Sequence, residues 1–114
     1  MNKSPFVILV TRTGMGSGDP DLQIKLIRKY FSLLLESGML PSVVCFYTDG
    51  VKLVVEGSPV LEELHLLEQQ GVRLVVCGTC LEFYGLQNQR KAGIVGGMPD
   101  IIEAQWMAEK VITL

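Results

Sequence analysis

Long apolar stretches are missing from this sequence, and so is any excess of positive charge. The longest purely apolar runs are Phe6–Val10 and Val43–Tyr47, far short of the ~20 residues that a membrane-spanning helix requires. Ten Lys and Arg stand against twelve Asp and Glu, a net charge of −2. That balance gives no basic footprint for nucleic acid and no polybasic patch for a membrane surface. Histidine occurs once and cysteine three times, a poor supply for a four-ligand structural zinc site and no secreted disulfide framework. Met1–Pro5 imitates the start of a signal peptide, but the apolar run behind it is short, and Arg12 interrupts it before any small-residue cleavage site. The expectation is a cytoplasmic protein, where a close cysteine pair is more often catalytic or metal-binding than structural.

What is present fits one domain over residues 1–114, long enough to bury a core without a staple. Hydrophobic residues make up 48% and charged residues 19%, which favours a sheet covered on both faces or further burial between subunits.

The order of elements is legible. Residues 6–11 form a continuous β-branched run, a strand buried on both faces. Three glycines in residues 12–18 break it, and Asp19-Pro20 then opens a helix as N-cap and first helical residue. Apolar positions recur every three or four residues from Leu22 to Leu35, with Gly38 as the stop. A second strand is predicted over 42–47, closed by the turn Thr48-Asp49-Gly50. Residues 51–56 read equally well as a helical turn or an extended segment. Ser58-Pro59 predicts the next helix, ended by Gly71, and residues 72–77 the third strand. A short helix over 81–84, a strand at 93–95, a helix over 100–109 and a strand over 111–114 complete the chain. Strands alternating with helices imply an α/β fold, a three-layer sandwich around a mainly parallel sheet of about five strands.

In such a sheet ligands bind outside the carboxyl ends of the strands. Four unusual segments converge there: residues 12–19, 48–52, 77–80 and 95–98. The dithiol Cys77-Gly78-Thr79-Cys80 stands where a strand ends and a helix opens, a setting that stabilises a thiolate through free N–H groups and the helix dipole. Arg12 and Lys52, leaving neighbouring strands, are placed to add to that effect. The candidate catalytic residues are therefore Cys77 and Cys80. Arg12, Gly14, Gly16, Gly18, Lys52, Gly78 and Thr79 are the candidates for substrate contact. Cys45, inside the second strand, reads as a small core hydrophobe. His65 falls in mid-helix, a surface or interface position, and no metal site is expected. The loop Thr13–Asp19 is neither G-x-G-x-x-G nor a phosphate-binding P-loop, so no nucleotide or other cofactor is expected. Phe83, Tyr84, Trp106 and Met107 read as core or subunit-interface residues.

The segments Phe46–Leu53, Val55–Ser58 and Val76–Leu86 resemble the DsrE/TusD-like sulfur-relay family, and in particular its YedF-like branch, which is associated with selenium metabolism. The resemblance runs from the first strand to the last. It implies a DsrE-like sandwich, assembly into homo-oligomeric trimers or hexamers, and a TusA-like sulfur carrier protein as partner. Family carriers hold a persulfide on a cysteine eight residues before a glycine, and Cys77 and Gly85 fit that spacing. The implied function is sulfur or selenium transfer, with Cys77 the acceptor nucleophile and Cys80 resolving the persulfide or passing the atom on. Two other readings stay open: a CxxC dithiol redox protein, and a non-catalytic oligomeric binding module whose thiols are incidental.

Overall fold

The structure, a computed structural model, describes residues 3–114; Met1 and Asn2, which open the signal-like segment, lie outside the described residues. Five strands form one sheet: β1 (Lys3–Val10), β2 (Leu40–Phe46), β3 (Arg73–Cys77), β4 (Ile94–Gly96) and β5 (Lys110–Thr113). Their order is β4-β3-β2-β1-β5 and every neighbouring pair is parallel. The three most apolar runs thus occupy the middle of the sheet, as their lack of a polar face demands.

The crossovers fix where the helices lie. From β1 to β4 the chain steps in one direction, through α1 (Pro20–Ser37), α2 (Leu61–Gln69) and α3 (Gly78–Phe83). Right-handed connections place all three on one face. The return from β4 to β5 runs the other way, so α4 (Met98–Met107) covers the opposite face alone. Strand side chains alternate between the two. Ile8, Val10, Val44, Phe46, Leu74 and Val76 belong to one layer; Val7, Leu9, Val43, Cys45 and Val75 belong to the other, and all are buried.

Helix α1 begins and ends where the sequence predicts. The Asp19 carboxylate accepts the Asp21 N–H at 2.9 Å, and Gly38 closes the helix in the left-handed region at φ 73°. Several boundaries differ from expectation, among them three between β2 and β4. Residues 48–53, read as a turn and an ambiguous segment, form a 3-10 helix. Helix α2 starts at Leu61 rather than Ser58, because the Ser58 hydroxyl accepts from the Val60 N–H at 3.3 Å and closes a separate turn first. Helix α3 starts at Gly78, so Cys80 lies within it and Cys77 at its N-cap.

Candidate functional site

The carboxyl edge of the sheet is built by a close meeting of three chain segments. The Tyr47 N–H donates to the Val10 carbonyl at 3.1 Å, carrying the β1–β2 pairing to the end of both strands. Thr48 then turns with φ 47°, a left-handed conformation rarely adopted by a β-branched residue. Its hydroxyl donates to the Thr11 carbonyl at 2.9 Å and lies 2.7 Å from that of Tyr47. Gly50 sits so close beneath Val10 that a methyl group there would overlap the Val10 carbonyl, so this approach requires glycine. The 3-10 helix is thereby fastened to the end of β1.

The two thiols stand beside it. Cys77 ends β3, paired with Gly96 of β4, and only 2% of its surface is exposed. Cys80 is half-buried, and both thiols are free. The Thr48 N–H donates to Cys80 Sγ at 3.1 Å, and Cys77 stands three residues before Cys80, at the N-cap of the same helix. Burial is the main influence on Cys80 and pushes its pKa up; the neighbouring Cys77 thiol acts the same way, and the Thr48 amide opposes them. Burial thus opposes the lowering expected from the helix end. Cys80 is the third residue of the six-residue α3, and the donor that reaches its sulfur comes from Thr48 on the 3-10 helix. Cys45 is fully buried, as expected, and burial pushes its thiol up to about 11, with Arg73 opposing.

A polar rim closes the site on the solvent side. The Tyr84 hydroxyl donates to Asp49 Oδ1 at 2.6 Å. Lys52 Nζ lies 3.0 Å from the same oxygen and 4.4 Å from the centre of the Tyr84 ring, a distance suited to cation–π attraction. The Tyr84 bond, followed by that of Lys52, holds the Asp49 carboxyl below its usual range. The same bond pushes the Tyr84 hydroxyl up, which keeps it a donor.

The remaining sequence candidates divide by position. Lys52 is engaged with Asp49 and Tyr84. Arg12 is exposed and forms no ion pair among the described residues. The glycine loop turns toward α1: Met15 N–H donates to the Gln23 carbonyl at 3.0 Å, and the Gln23 amide to the Gly16 carbonyl at 2.8 Å. Gly14, at φ 145°, is covered by Gln23, and Gly18 faces open space. Gly78 lies against Val95, and Thr79 is exposed. His65 is exposed, with Nε2 2.8 Å from the Lys91 carbonyl. Phe83, Trp106 and Met107 are 83%, 81% and 78% exposed and so form no part of this chain's core. Thr48, Asp49 and Tyr84 were not among the candidates, although the Thr-Asp-Gly turn at a strand end marked two of them. Among the described residues, no three His, Cys, Asp or Glu side chains gather to hold a metal.

A cleft of about 470 Å³ lies elsewhere, between α4 and the amino ends of β1 to β3, lined by Pro5, Val43, Arg73 and Met107 among others. It holds neither thiol, and the chemistry argues for the opposite edge.

Three solved structures share this architecture. The ychN protein of E. coli superposes with a TM-score of 0.73 at 20% identity, over 97% of this chain and 99% of that one. The Methanobacterium thermoautotrophicum protein MTH1491, of unknown function, gives 0.72 at 19% identity, with coverage of 97% and 99%. The Bacteroides thetaiotaomicron protein BT1422, also of unknown function, gives 0.68 at 18% identity, with coverage of 96% and 95%. At these identities the likeness shows the fold. A comparison with curated protein sequences found no match. The model of the DsrE/DsrF-like family matches residues 6–114, from the first strand through the dithiol to the last residue, and the chain belongs to that family.

Proposed function

We propose that this protein carries sulfur as a persulfide on the Cys77–Cys80 pair. The family is associated with sulfur relay, and one observation carries the reading to these residues. Two free thiols, one buried and one reachable, stand three residues apart at the carboxyl edge of the sheet.

The difference in burial orders the steps. A thiolate at Cys80 attacks the outer sulfur of a donor persulfide, and the donor leaves as a thiolate. Cys77 then attacks that same outer sulfur. The sulfur–sulfur bond to Cys80 breaks, Cys80 leaves as a thiolate, and it takes up the proton that Cys77 gives up. No electron is gained or lost in either step, so no external oxidant or reductant is required. The sulfur rests on Cys77, the carrier position of the family resemblance, where burial shields it from solvent thiols. Delivery reverses the sequence through Cys80. The same chemistry applies to selenium in place of sulfur.

Intact-mass measurement after treatment with a persulfide donor and a glutathione wash tests this. The wild type is expected to retain an adduct of about 32 Da, one sulfur atom. Cys77→Ser should lose its adduct in the wash, because sulfur left on Cys80 is exposed, and Cys80→Ser should load slowly. An adduct retained fully by Cys77→Ser, or none on the wild type, would overturn the reading.

A further inference from the structure

We propose that Tyr84 is a positioning residue for the Cys80 sulfur, acting by holding Asp49 so that the neighbouring Thr48 amide stays aimed at Sγ. The proposal deepens the persulfide reading, on which it rests for its purpose, but its geometry stands on separate contacts.

Cys80 lies in α3 and Tyr84, four residues on, is its C-cap and still near-helical in backbone, so their side chains project from one face. That face meets the 3-10 helix at two adjacent residues. Thr48 donates its N–H to Cys80 Sγ at 3.1 Å, and Asp49 accepts the Tyr84 hydroxyl at 2.6 Å. The two contacts close a small ring that includes the peptide between Thr48 and Asp49, so one cannot shift far without straining the other. The ring is needed because Thr48 holds an unfavourable backbone conformation, φ 47°. Such a residue persists only where its surroundings over-determine it, and it most often does so at functional sites. From beneath, the Thr48 hydroxyl is tied to the Thr11 carbonyl and Gly50 is pressed against Val10. From above, the Tyr84–Asp49 bond is the counterpart. Lys52, 3.0 Å from Asp49, keeps that acceptor ionised.

Removing the Tyr84 hydroxyl therefore loosens the one backbone donor on Cys80 Sγ and disfavours its anionic form, whether thiolate or persulfide. The groups around Cys80 are few: Cys77 and Tyr84 on its own segment, and Asp49 and Lys52 on the 3-10 helix. Arg12, on the loop after β1, is exposed. None of these changes charge in Tyr84→Phe, since the raised tyrosine is neutral throughout the working range.

The test is the rate of iodoacetamide alkylation at Cys80 against pH, read from the mass of the peptide that contains it. Tyr84→Phe and Asp49→Ala should both move the midpoint to higher pH. Their rate at neutral pH should fall by up to about tenfold, the scale of one hydrogen bond to a charged group. Asp49→Asn keeps an oxygen that accepts from Tyr84 and should titrate close to the wild type. A purely structural role would lower the melting temperature of Tyr84→Phe without moving its midpoint, and coincident profiles for Tyr84→Phe and the wild type would overturn the proposal. Alkylation needs no sulfur donor, so this outcome is independent of whether the protein loads sulfur.

Discussion

Three thiols in one chain are set apart by what surrounds them. Cys80 reaches solvent and takes a backbone donor, Cys77 is buried beside it, and Cys45 is sealed in the sheet with no place in the site. Burial raises the Cys45 pKa to about 11 from the ordinary thiol value of 9.0. For an acid raised in the folded state, the contribution to stability is complete below pH ~9 and is lost as pH climbs through ~11. Two pH units correspond to roughly 2–3 kcal/mol. Urea unfolding between pH 8 and 11 should therefore show a steeper fall for the wild type than for Cys45→Ala, and parallel curves would remove Cys45 from that account. Spacing alone picked out the dithiol and separated it from Cys45. The partners of the dithiol were not legible, because Thr48 meets Cys80 across 32 residues and Asp49 meets Tyr84 across 35. A local pattern carries no record of such a meeting. The dipole argument looked for a donor on the thiol's own helix, whereas the amide that reaches Cys80 Sγ is that of Thr48, at the end of another strand.

Among the elements, strands and the long helix were readable where local chemistry and tertiary demand agree. The β-branched runs became β1 to β3, and Asp19, Pro20 and Gly38 bound α1 at both ends. The segment after β2 was ambiguous because its shape is imposed from outside. Val51, Leu53 and Val54 are buried, and the 3-10 helix forms as the chain folds over the end of β1. Gly50 makes that fold possible. Gly50→Ala should destabilise the protein by roughly 2–4 kcal/mol, since its methyl meets a backbone carbonyl that cannot swing aside. It should also slow Cys80 alkylation, because Thr48 moves with the displaced turn. Denaturant unfolding gives the first quantity and peptide mass the second. A variant as stable as the wild type would show that the 3-10 helix is not held by this approach.

At the scale of the whole molecule, the two faces of the sheet are unequally served. One carries three helices and the other carries α4 alone. The accessible surface of 6349 Å² is close to the about 6,200 Å² expected for a compact monomer of this mass, so the core does not need a second subunit to close. The argument for assembly rests instead on α4 itself. Ile101 and Ala104 face inward, yet Met98, Ile102 and Trp106 recur every four residues along the outer side, with Met107 beside them, all exposed. A helix apolar on two faces is one that water does not normally meet on both. We therefore expect a homo-oligomer in which a second copy covers this stripe. Light scattering at micromolar concentration should give a mass well above the 12.6 kDa of one chain, and Trp106→Glu should return it toward that value. Trp106 is the sole tryptophan, so its emission reports this face alone and should shift to the red as dilution separates the copies. A monomeric mass with emission unchanged on dilution would leave the stripe uncovered in the free protein. Because the stripe lies on α4 and the dithiol at the carboxyl edge beside α3, Trp106→Glu should leave the pH profile of Cys80 alkylation where it was. That separates assembly from the chemistry of the site.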